Sequence, residues 1–175
     1  MRRARPASAR ARSPASPPAR PPALPRVLVL HGPNLNLLGA REPHIYGRTT
    51  LAELDASLVA LGAELGLSVT CAQSNHEGAL VDLLHGALEP RHLGVVCNPG
   101  AYAHTSVALR DAIAALASMG VSTVEVHLTN TSAREPFRHA SVTSGACLGR
   151  IEGLGPEGYA LALRALASRR ERTSA

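Results

Sequence analysis

Short continuous apolar runs alternate along the chain with longer segments in which leucine recurs every three or four residues. The first run, residues 27–30, is typical of a strand that is covered on both faces. Thr50 and Glu53 match the capping box that begins a helix, and leucines then recur along one face of residues 51–65. This stretch predicts the first strand and the first long helix of the fold.

The same alternation continues toward the end of the chain. Further strands are predicted at residues 67–72, 93–97, 121–126 and, more weakly, 146–151, and further helices at residues 77–88, 105–119 and 157–167. Five strands that alternate with helices predict an α/β fold with a parallel sheet and helices on both faces. At a length of 175 residues, we expect one domain with the flavodoxin-like, doubly wound strand order 2-1-3-4-5.

The first 25 residues differ in composition from the rest of the chain. They hold seven of the 13 prolines, and arginine, alanine and serine fill most of the remainder. Such a segment has too little apolar surface to build a core, so residues 1–25 are predicted to be a disordered extension. An organelle transit peptide is the alternative, but prolines oppose the amphipathic helix that such a peptide forms.

The net charge of +5 is concentrated in that extension. Residues 1–26 carry seven arginines and no acid, which leaves 11 arginines against 13 acidic residues in the rest. The folded part is therefore mildly acidic, which is against a nucleic-acid-binding surface. No apolar run approaches the ~20 residues that span a bilayer, so no membrane association is expected.

Two residue types exclude further classes of protein. All 18 basic residues are arginine, and the absence of lysine excludes a lysine Schiff base and a P-loop. The three cysteines are odd in number and widely spaced in apolar surroundings. They predict buried free thiols in a reducing compartment such as the cytoplasm, not a disulfide framework or a metal cluster.

Polar residues follow three of the predicted strands at the position where doubly wound sheets bind ligands. Residues 31–34 end the first strand, residues 98–100 end the third and residues 127–130 end the fourth. In the order 2-1-3-4-5 these three strands are neighbours. We therefore expect their ends to converge on one site.

His127 is the strongest catalytic candidate among these residues. Glu125, two residues earlier, points to the same side because side chains alternate along a strand. A carboxylate beside an imidazole fixes which ring nitrogen carries the proton and favours the protonated ring, which suits a general acid. A strand-end histidine that is merely exposed to solvent is the alternative.

The loops and helix starts add further candidates. Arg41 and Tyr46 lie in the long loop after the first strand. A guanidinium lowers the pKa of a nearby phenol, so Arg41 would make Tyr46 a better base, and the loop would then be a lid that carries this base. The alternative is an ordinary loop without a catalytic role.

Arg134 and Arg138, which follow the fourth strand, suit bidentate binding of a carboxylate. The alternative is that both side chains are simply solvated. Residues 104–106 begin a helix and either cap it or bind an anion.

Two familiar patterns are rejected. Residues 153–158 match G-x-G-x-x-G, but only 17 residues follow them, too few to complete a dinucleotide-binding unit. His76 and Glu77 open a helix without a second histidine at metalloprotease spacing, so zinc is not expected.

Several longer motifs resemble those of one enzyme family, the type II 3-dehydroquinate dehydratases. These motifs lie at residues 32–39 (Gly-Pro-Asn-Leu-Asn-Leu-Leu-Gly), 41–43, 46–47, 73–78 (Gln-Ser-Asn-His-Glu-Gly), 98–102, 104–106, 107–111, 125–127 and 133–139. The resemblance extends from about residue 27 to residue 167. It implies that residues 26–175 form a single catalytic domain.

The resemblance implies a reversible dehydration of 3-dehydroquinate to 3-dehydroshikimate, the third step of the shikimate route to chorismate and aromatic amino acids. The reaction passes through an enolate and uses no metal or cofactor. By resemblance, Tyr46 takes the proton at C2, and Arg41 lowers the pKa of Tyr46 and stabilises the transition state. His127 protonates the departing C1 hydroxyl, and Asn34 holds the water that stabilises the enolate oxygen.

The resemblance also implies the substrate-binding groups and the assembly. The substrate's hydroxyls and carboxylate are expected on Asn98, His104, the backbone amides of Leu128 and Thr129, and Arg138. Asp111 is expected to reach the site of a neighbouring subunit in a dodecamer built from trimers. Two departures are a threonine at residue 129, where serine is usual, and a divergent stretch at residues 140–149.

Two alternatives of other classes stay open. A non-catalytic binding or regulatory protein on the same scaffold is disfavoured because Tyr46, Arg41 and His127 are all present. A flavodoxin-like FMN carrier is disfavoured because aromatic residues that would sandwich a flavin make up only 2% of the chain.

Overall fold

The computed structural model describes residues 23–40, 48–89 and 92–173. Within these ranges five strands alternate with four longer helices. The strands are β1 (Arg26–His31), β2 (Ser68–Gln73), β3 (His92–Asn98), β4 (Ser122–His127) and β5 (Gly149–Glu152). The helices are α1 (Leu51–Glu64), α2 (Glu77–Gly86), α3 (Val107–Ser118) and α4 (Glu157–Thr173).

The five strands form one sheet in the order β2-β1-β3-β4-β5, and every neighbouring pair is parallel. The flavodoxin-like order predicted from the sequence is therefore confirmed. In the register of the sheet, His31 at the end of β1 lies between Gln73 of β2 and Asn98 of β3. The carboxyl ends of these strands are thus level, and their side chains meet at one edge of the sheet.

Helices cover both faces of the sheet. Leucines of α1 and α4 pack with Val27 and Val29 on one face, and those of α2 and α3 pack with Leu28 and Leu30 on the other. Adjacent residues of β1 therefore enter opposite cores. This explains why the strand is continuously apolar instead of alternating.

Local capping fixes where two helices begin. Thr50 accepts from the Glu53 backbone N–H (3.2 Å) while the Glu53 carboxylate accepts from the Thr50 N–H (2.8 Å), which completes the predicted capping box. The helix predicted at residues 105–119 begins at Val107, because residues 100–104 form a 3-10 turn and Ser106 caps α3. Ser106 thus has the capping role expected for residues 104–106, and the anion-binding role stays a prediction.

The other differences from the predicted bounds are small. The strand expected at residues 146–151 is shorter and later, because residues 144–146 form a 3-10 turn before β5. Helix α2 ends at Gly86, and α4 continues to Thr173. Pro25 was placed in the extension, but its carbonyl accepts from the Ser68 N–H (2.8 Å), so it belongs to the folded body. Residues 1–22 lie outside the described part.

Two other predictions concern membranes and thiols. Within the described ranges, no helix is both long enough and apolar enough to cross a bilayer. All three cysteines are free thiols: Cys97 is buried, whereas Cys71 and Cys147 are half-buried. Burial raises the pKa of Cys71 and of Cys147 to about 12, so both hold their protons at neutral pH.

Candidate active site

The ends of β1 and β3 approach each other closely at the carboxyl edge of the sheet. The Gly32 N–H donates to the Asn98 carbonyl (2.7 Å). A Cβ atom on Gly32 would lie 2.5 Å from the Pro99 carbonyl oxygen, which is closer than a methyl group can come. Glycine is therefore required at residue 32 for the two strand ends to meet.

Asn34 has a left-handed backbone conformation (φ 67°), and its backbone N–H is bound by a residue just after β2. The Asn75 side-chain oxygen accepts from the Asn34 backbone N–H (2.9 Å) and from Gln73 Nε2 (3.0 Å). Gln73 also donates to the Gly32 carbonyl (3.2 Å). No role was assigned to Gln73 or Asn75 from the sequence, although both lie in the motif at residues 73–78 that was recognised.

A cavity of about 130 Å³ opens where these strand ends converge. The residues predicted for the site that line this cavity include Asn34, Asn98, His104, His127, Leu128, Thr129, Arg134 and Arg138. Asn98 and His127 are buried, whereas the side chains of the loops are more open to solvent. The ends of β1, β3 and β4 therefore meet at one cavity, as expected from the strand order.

Glu125 lies directly behind His127. His127 Nε2 is 2.8 Å from Glu125 Oε1, and Glu125 is fully buried. Because a carboxylate only accepts, Nε2 carries the proton and Nδ1 is the nitrogen left for a ligand. The pairing expected from strand alternation is present, and it orients the imidazole.

Three hydroxyl groups surround the same carboxylate. Ser141 (2.8 Å) and Ser144 (2.7 Å) donate to Oε1, and Thr143 (2.6 Å) donates to Oε2. Burial by itself opposes ionisation of Glu125, but the hydrogen bonds from His127, Thr143 and Ser144 outweigh it. Together they lower the pKa of Glu125 to about 2.

Sequence reasoning missed these hydroxyl groups because they lie in the divergent stretch at residues 140–149. The available signal was the cluster of hydroxyl residues at 141, 143 and 144, close after the arginines that follow β4. Which group those hydroxyls would contact was not readable from the pattern.

His104 and His127 lie side by side in the cavity. Their rings are nearly parallel (17°), with centroids 6.5 Å apart. His104 Nδ1 donates to the Ala140 carbonyl (2.7 Å), so Nε2 of His104 is an acceptor. The site thus offers two imidazoles whose orientations are set by different neighbours.

Two arginines give the cavity a positive rim. The Nε atoms of Arg134 and Arg138 lie 3.4 Å and 2.9 Å from the Glu135 carboxylate, and both arginines line the cavity. Arg138 also packs over the Phe137 ring at 4.9 Å. Guanidinium groups held in this way suit a small substrate that carries a carboxylate.

Three predicted residues are not placed at this cavity. Arg41 and Tyr46 lie outside the described residues. Asp111 is exposed on α3, where it pairs with Arg110 (3.2 Å), and it does not line the cavity of its own chain.

One group of side chains has the composition of a metal site. His31, Asp55 and Cys71 place one nitrogen, one oxygen and one sulfur atom within 4.8 Å of each other. His31 Nε2 is, however, already bonded to Asp55 Oδ1 (2.9 Å), and the Cys71 thiol keeps its proton at neutral pH. The contacts among these three side chains are those of a hydrogen-bonded group.

Comparison with known proteins identifies the family. The model of the family described as "Dehydroquinase class II" matches residues 25–167. The chain belongs to this family. The match begins where the proline-rich extension ends, and it covers all five strands.

Relatives of known name support this membership. The chain is 57% identical to 3-dehydroquinate dehydratase of Ruegeria pomeroyi over 81% of its own length and 93% of that protein. It is 58% identical to 3-dehydroquinate dehydratase of a Chelativorans species, over 82% of this chain and 97% of that one. The crystal structure of type II dehydroquinase from Propionibacterium acnes superposes with a TM-score of 0.77 at 45% identity, covering 82% of this chain and 96% of that chain.

Proposed function

We propose that this class II dehydroquinase removes water from 3-dehydroquinate at the cavity formed by the ends of β1, β3 and β4. The product is 3-dehydroshikimate, and the step belongs to the shikimate route to aromatic amino acids. The chain is thus a hydro-lyase. The observation that carries the proposal is the His127–Glu125 pair (2.8 Å), which lies at an arginine-rimmed cavity in a chain of this family.

His127 is the general acid in this proposal. Glu125 stays ionised at neutral pH and therefore compensates the positive charge of a protonated His127. The proton on Nδ1 then passes to the C1 hydroxyl as the carbon–oxygen bond breaks, and water leaves. The hydroxyls around Glu125 act through His127 by holding this carboxylate in place.

Tyr46 is the base that removes the proton at C2, and Arg41 favours the tyrosinate and stabilises the transition state. The support for both roles is that residues 41–43 and 46–47 match motifs of the family to which the chain belongs. The electron pair released at C2 is held as an enolate, whose oxygen is stabilised by a water on Asn34.

The remaining cavity residues bind the substrate. Asn98, His104 and the amides of Leu128 and Thr129 hold its hydroxyls and carboxylate together with Arg138. Their support is that all of them line the same cavity. No metal or cofactor takes part in the proposed reaction, which is a transfer of protons and the loss of water.

Assembly and location complete the proposal. The enzyme is a dodecamer built from trimers, in which Asp111 completes the site of a neighbouring subunit. The exposure of Asp111 on α3 supports this role. The enzyme works in the cytoplasm, a reducing compartment, which suits its three free cysteines.

The test is turnover of 3-dehydroquinate, followed by the ultraviolet absorbance of the conjugated enone product. Wild-type protein and a His92→Ala control, changed at the opposite end of β3, should both be active. Tyr46→Phe should abolish turnover while substrate still binds, because only the ionisable oxygen is lost. His127→Ala should abolish turnover without unfolding the protein. Near-normal turnover in Tyr46→Phe would remove Tyr46 from the role of base, and an inactive wild type would favour a non-catalytic binding protein.

A further inference from the structure

A chain of hydrogen-bonded side chains runs from the cavity, along the face of the sheet that α1 and α4 cover, to Asp55 on α1. Asn98 Nδ2 lies 2.9 Å from the Tyr159 hydroxyl, which lies 3.0 Å from His31 Nδ1. His31 Nε2 lies 2.9 Å from Asp55 Oδ1. Tyr159 and His31 are fully buried and Asn98 is 3% exposed, whereas the Asp55 side chain reaches solvent.

The hydrogen bonds of this chain have one direction. The Asp55 carboxylate only accepts, so a neutral His31 ring carries its proton on Nε2, and its Nδ1 accepts from the Tyr159 hydroxyl. The Tyr159 oxygen is then left to accept from Asn98 Nδ2. Burial raises the pKa of Tyr159 well above its ordinary value, so the hydroxyl keeps the proton that it donates.

Asn98 is fixed at both ends of its amide by this arrangement. Its Oδ1 accepts from the Gly100 N–H (3.1 Å), and one hydrogen of Nδ2 is used by Tyr159. The second hydrogen of Nδ2 is left for the cavity that Asn98 lines. A flipped amide would place two donors against each other at Gly100, so the orientation is determined by the protein before substrate binds.

We propose that Tyr159, held by His31 and Asp55, is a positioning residue that orients the Asn98 amide for substrate binding. The inference rests on the proposed role of Asn98 as a substrate ligand. Tyr159 touches no substrate itself. Together with the Gly100 N–H, its hydroxyl on α4 determines how the Asn98 amide at the end of β3, 61 residues away in sequence, presents its N–H.

The first test is Tyr159→Phe, which keeps the ring and removes only the oxygen. Since Asn98 contacts bound substrate before and during the reaction, we expect KM for 3-dehydroquinate to rise about tenfold, with kcat within about threefold of wild type. Leu163→Val is the matched control, because Leu163 lies one turn further along α4 in the same core and its aliphatic side chain cannot hydrogen-bond to Asn98, Tyr159 or His31. It should lower the melting temperature and leave KM unchanged.

The second test is a double-mutant cycle. Asn98→Ala should also raise KM, and Tyr159→Phe/Asn98→Ala should have the KM of Asn98→Ala alone, because the hydroxyl acts only through the amide. Asp55→Ala covers the case in which Tyr159→Phe does not fold. Asp55 is partly exposed, and its loss allows His31 to carry its proton on Nδ1, which reverses the direction of the hydrogen bond to Tyr159. We expect KM to rise in Asp55→Ala, but by less than in Tyr159→Phe.

The outcomes separate this inference from the proposed function. Turnover by wild type with raised KM in Asn98→Ala, but unchanged KM in Tyr159→Phe and Asp55→Ala, would overturn the positioning role alone. A rise in KM in Tyr159→Phe/Asn98→Ala that equals the product of the two single-variant effects would also overturn the positioning role. An unchanged KM in Asn98→Ala would remove Asn98 from binding and the inference with it, and an inactive wild type would overturn the proposed function itself.

Discussion

Thr143 and Thr123 form a matched pair that tests how the carboxylate behind His127 is stabilised. Both threonines are buried. The Thr143 hydroxyl donates to Glu125 Oε2 at 2.6 Å, whereas the Thr123 hydroxyl has no hydrogen-bond partner among the described residues. Replacing threonine by valine exchanges a hydroxyl for a methyl group of similar size. The same substitution therefore removes a donor to a buried charge at one position and an unsatisfied hydroxyl at the other.

The two substitutions should change stability in opposite senses. A hydrogen bond to a charged group contributes ~1.5–3 kcal/mol, so Thr143→Val should lower the free energy of unfolding by ~2 kcal/mol at pH 7. In a domain of this size that corresponds to a fall in Tm of ~4–8 °C. Thr123→Val should leave Tm unchanged or raise it slightly, because the buried hydroxyl that it removes has no partner to lose.

The effect of Thr143→Val should also depend on pH. The pKa of Glu125 is lowered from 4.5 to about 2 in the folded protein. A lowered pKa contributes stability that is fully present above the unfolded value and is lost as pH falls through the folded value. The difference in free energy of unfolding between wild type and Thr143→Val should therefore become smaller as pH falls from 4.5 toward about 2, the pKa of Glu125 in the folded protein.

Thermal melts followed by circular dichroism at pH 7 and pH 3 would measure both effects. Protein concentration must be equal in all samples, because Tm of an oligomer depends on it. Equal losses of Tm in both variants would show that any change at these buried positions is costly. An unchanged Tm in Thr143→Val, or a difference in Tm from wild type that is the same at both pH values, would show that the Thr143 hydroxyl does not stabilise ionised Glu125.

Three further predictions concern other parts of the chain. Asp111→Ala should impair substrate binding or weaken the trimer, which sedimentation and kinetics would measure; a fully assembled variant with normal KM would contradict its role at a neighbouring site. Deleting residues 1–22 should leave assembly, Tm and turnover almost unchanged, and a collapse of any of these would show that the extension matters. Borohydride added with substrate should leave the enzyme active, because there is no lysine to form an imine; a covalent adduct in a mass spectrum would contradict this.

The bounds of the elements show where local pattern suffices and where it fails. The start of α1 agrees with prediction because the capping box of Thr50 and Glu53 is complete within four residues. The start of β5 does not, because the turn at residues 144–146 depends on hydroxyls that fold back onto Glu125. That contact joins residues 19 apart in sequence and leaves no periodic signal.

Hydrophobic pattern and residue spacing were enough to predict the sheet, its strand order and the pairing of Glu125 with His127. Each follows from short-range rules: hydrophobic period distinguishes strand from helix, crossover chirality limits strand order, and alternation places two residues of one strand on one side. For Arg41 and Tyr46 the residues alone left a catalytic lid and an ordinary loop open, and the roles that the resemblance implies stay predictions.

Tertiary structure alone decided which groups surround the site residues. Tyr159 packs in the core on the face of the last helix that covers the sheet. Its hydroxyl nevertheless joins Asn98 and His31, which are 61 and 128 residues away. Such partners are determined by how helices pack on the sheet, because a buried polar atom must be satisfied by whatever group the packing brings within reach. No local pattern encodes that choice.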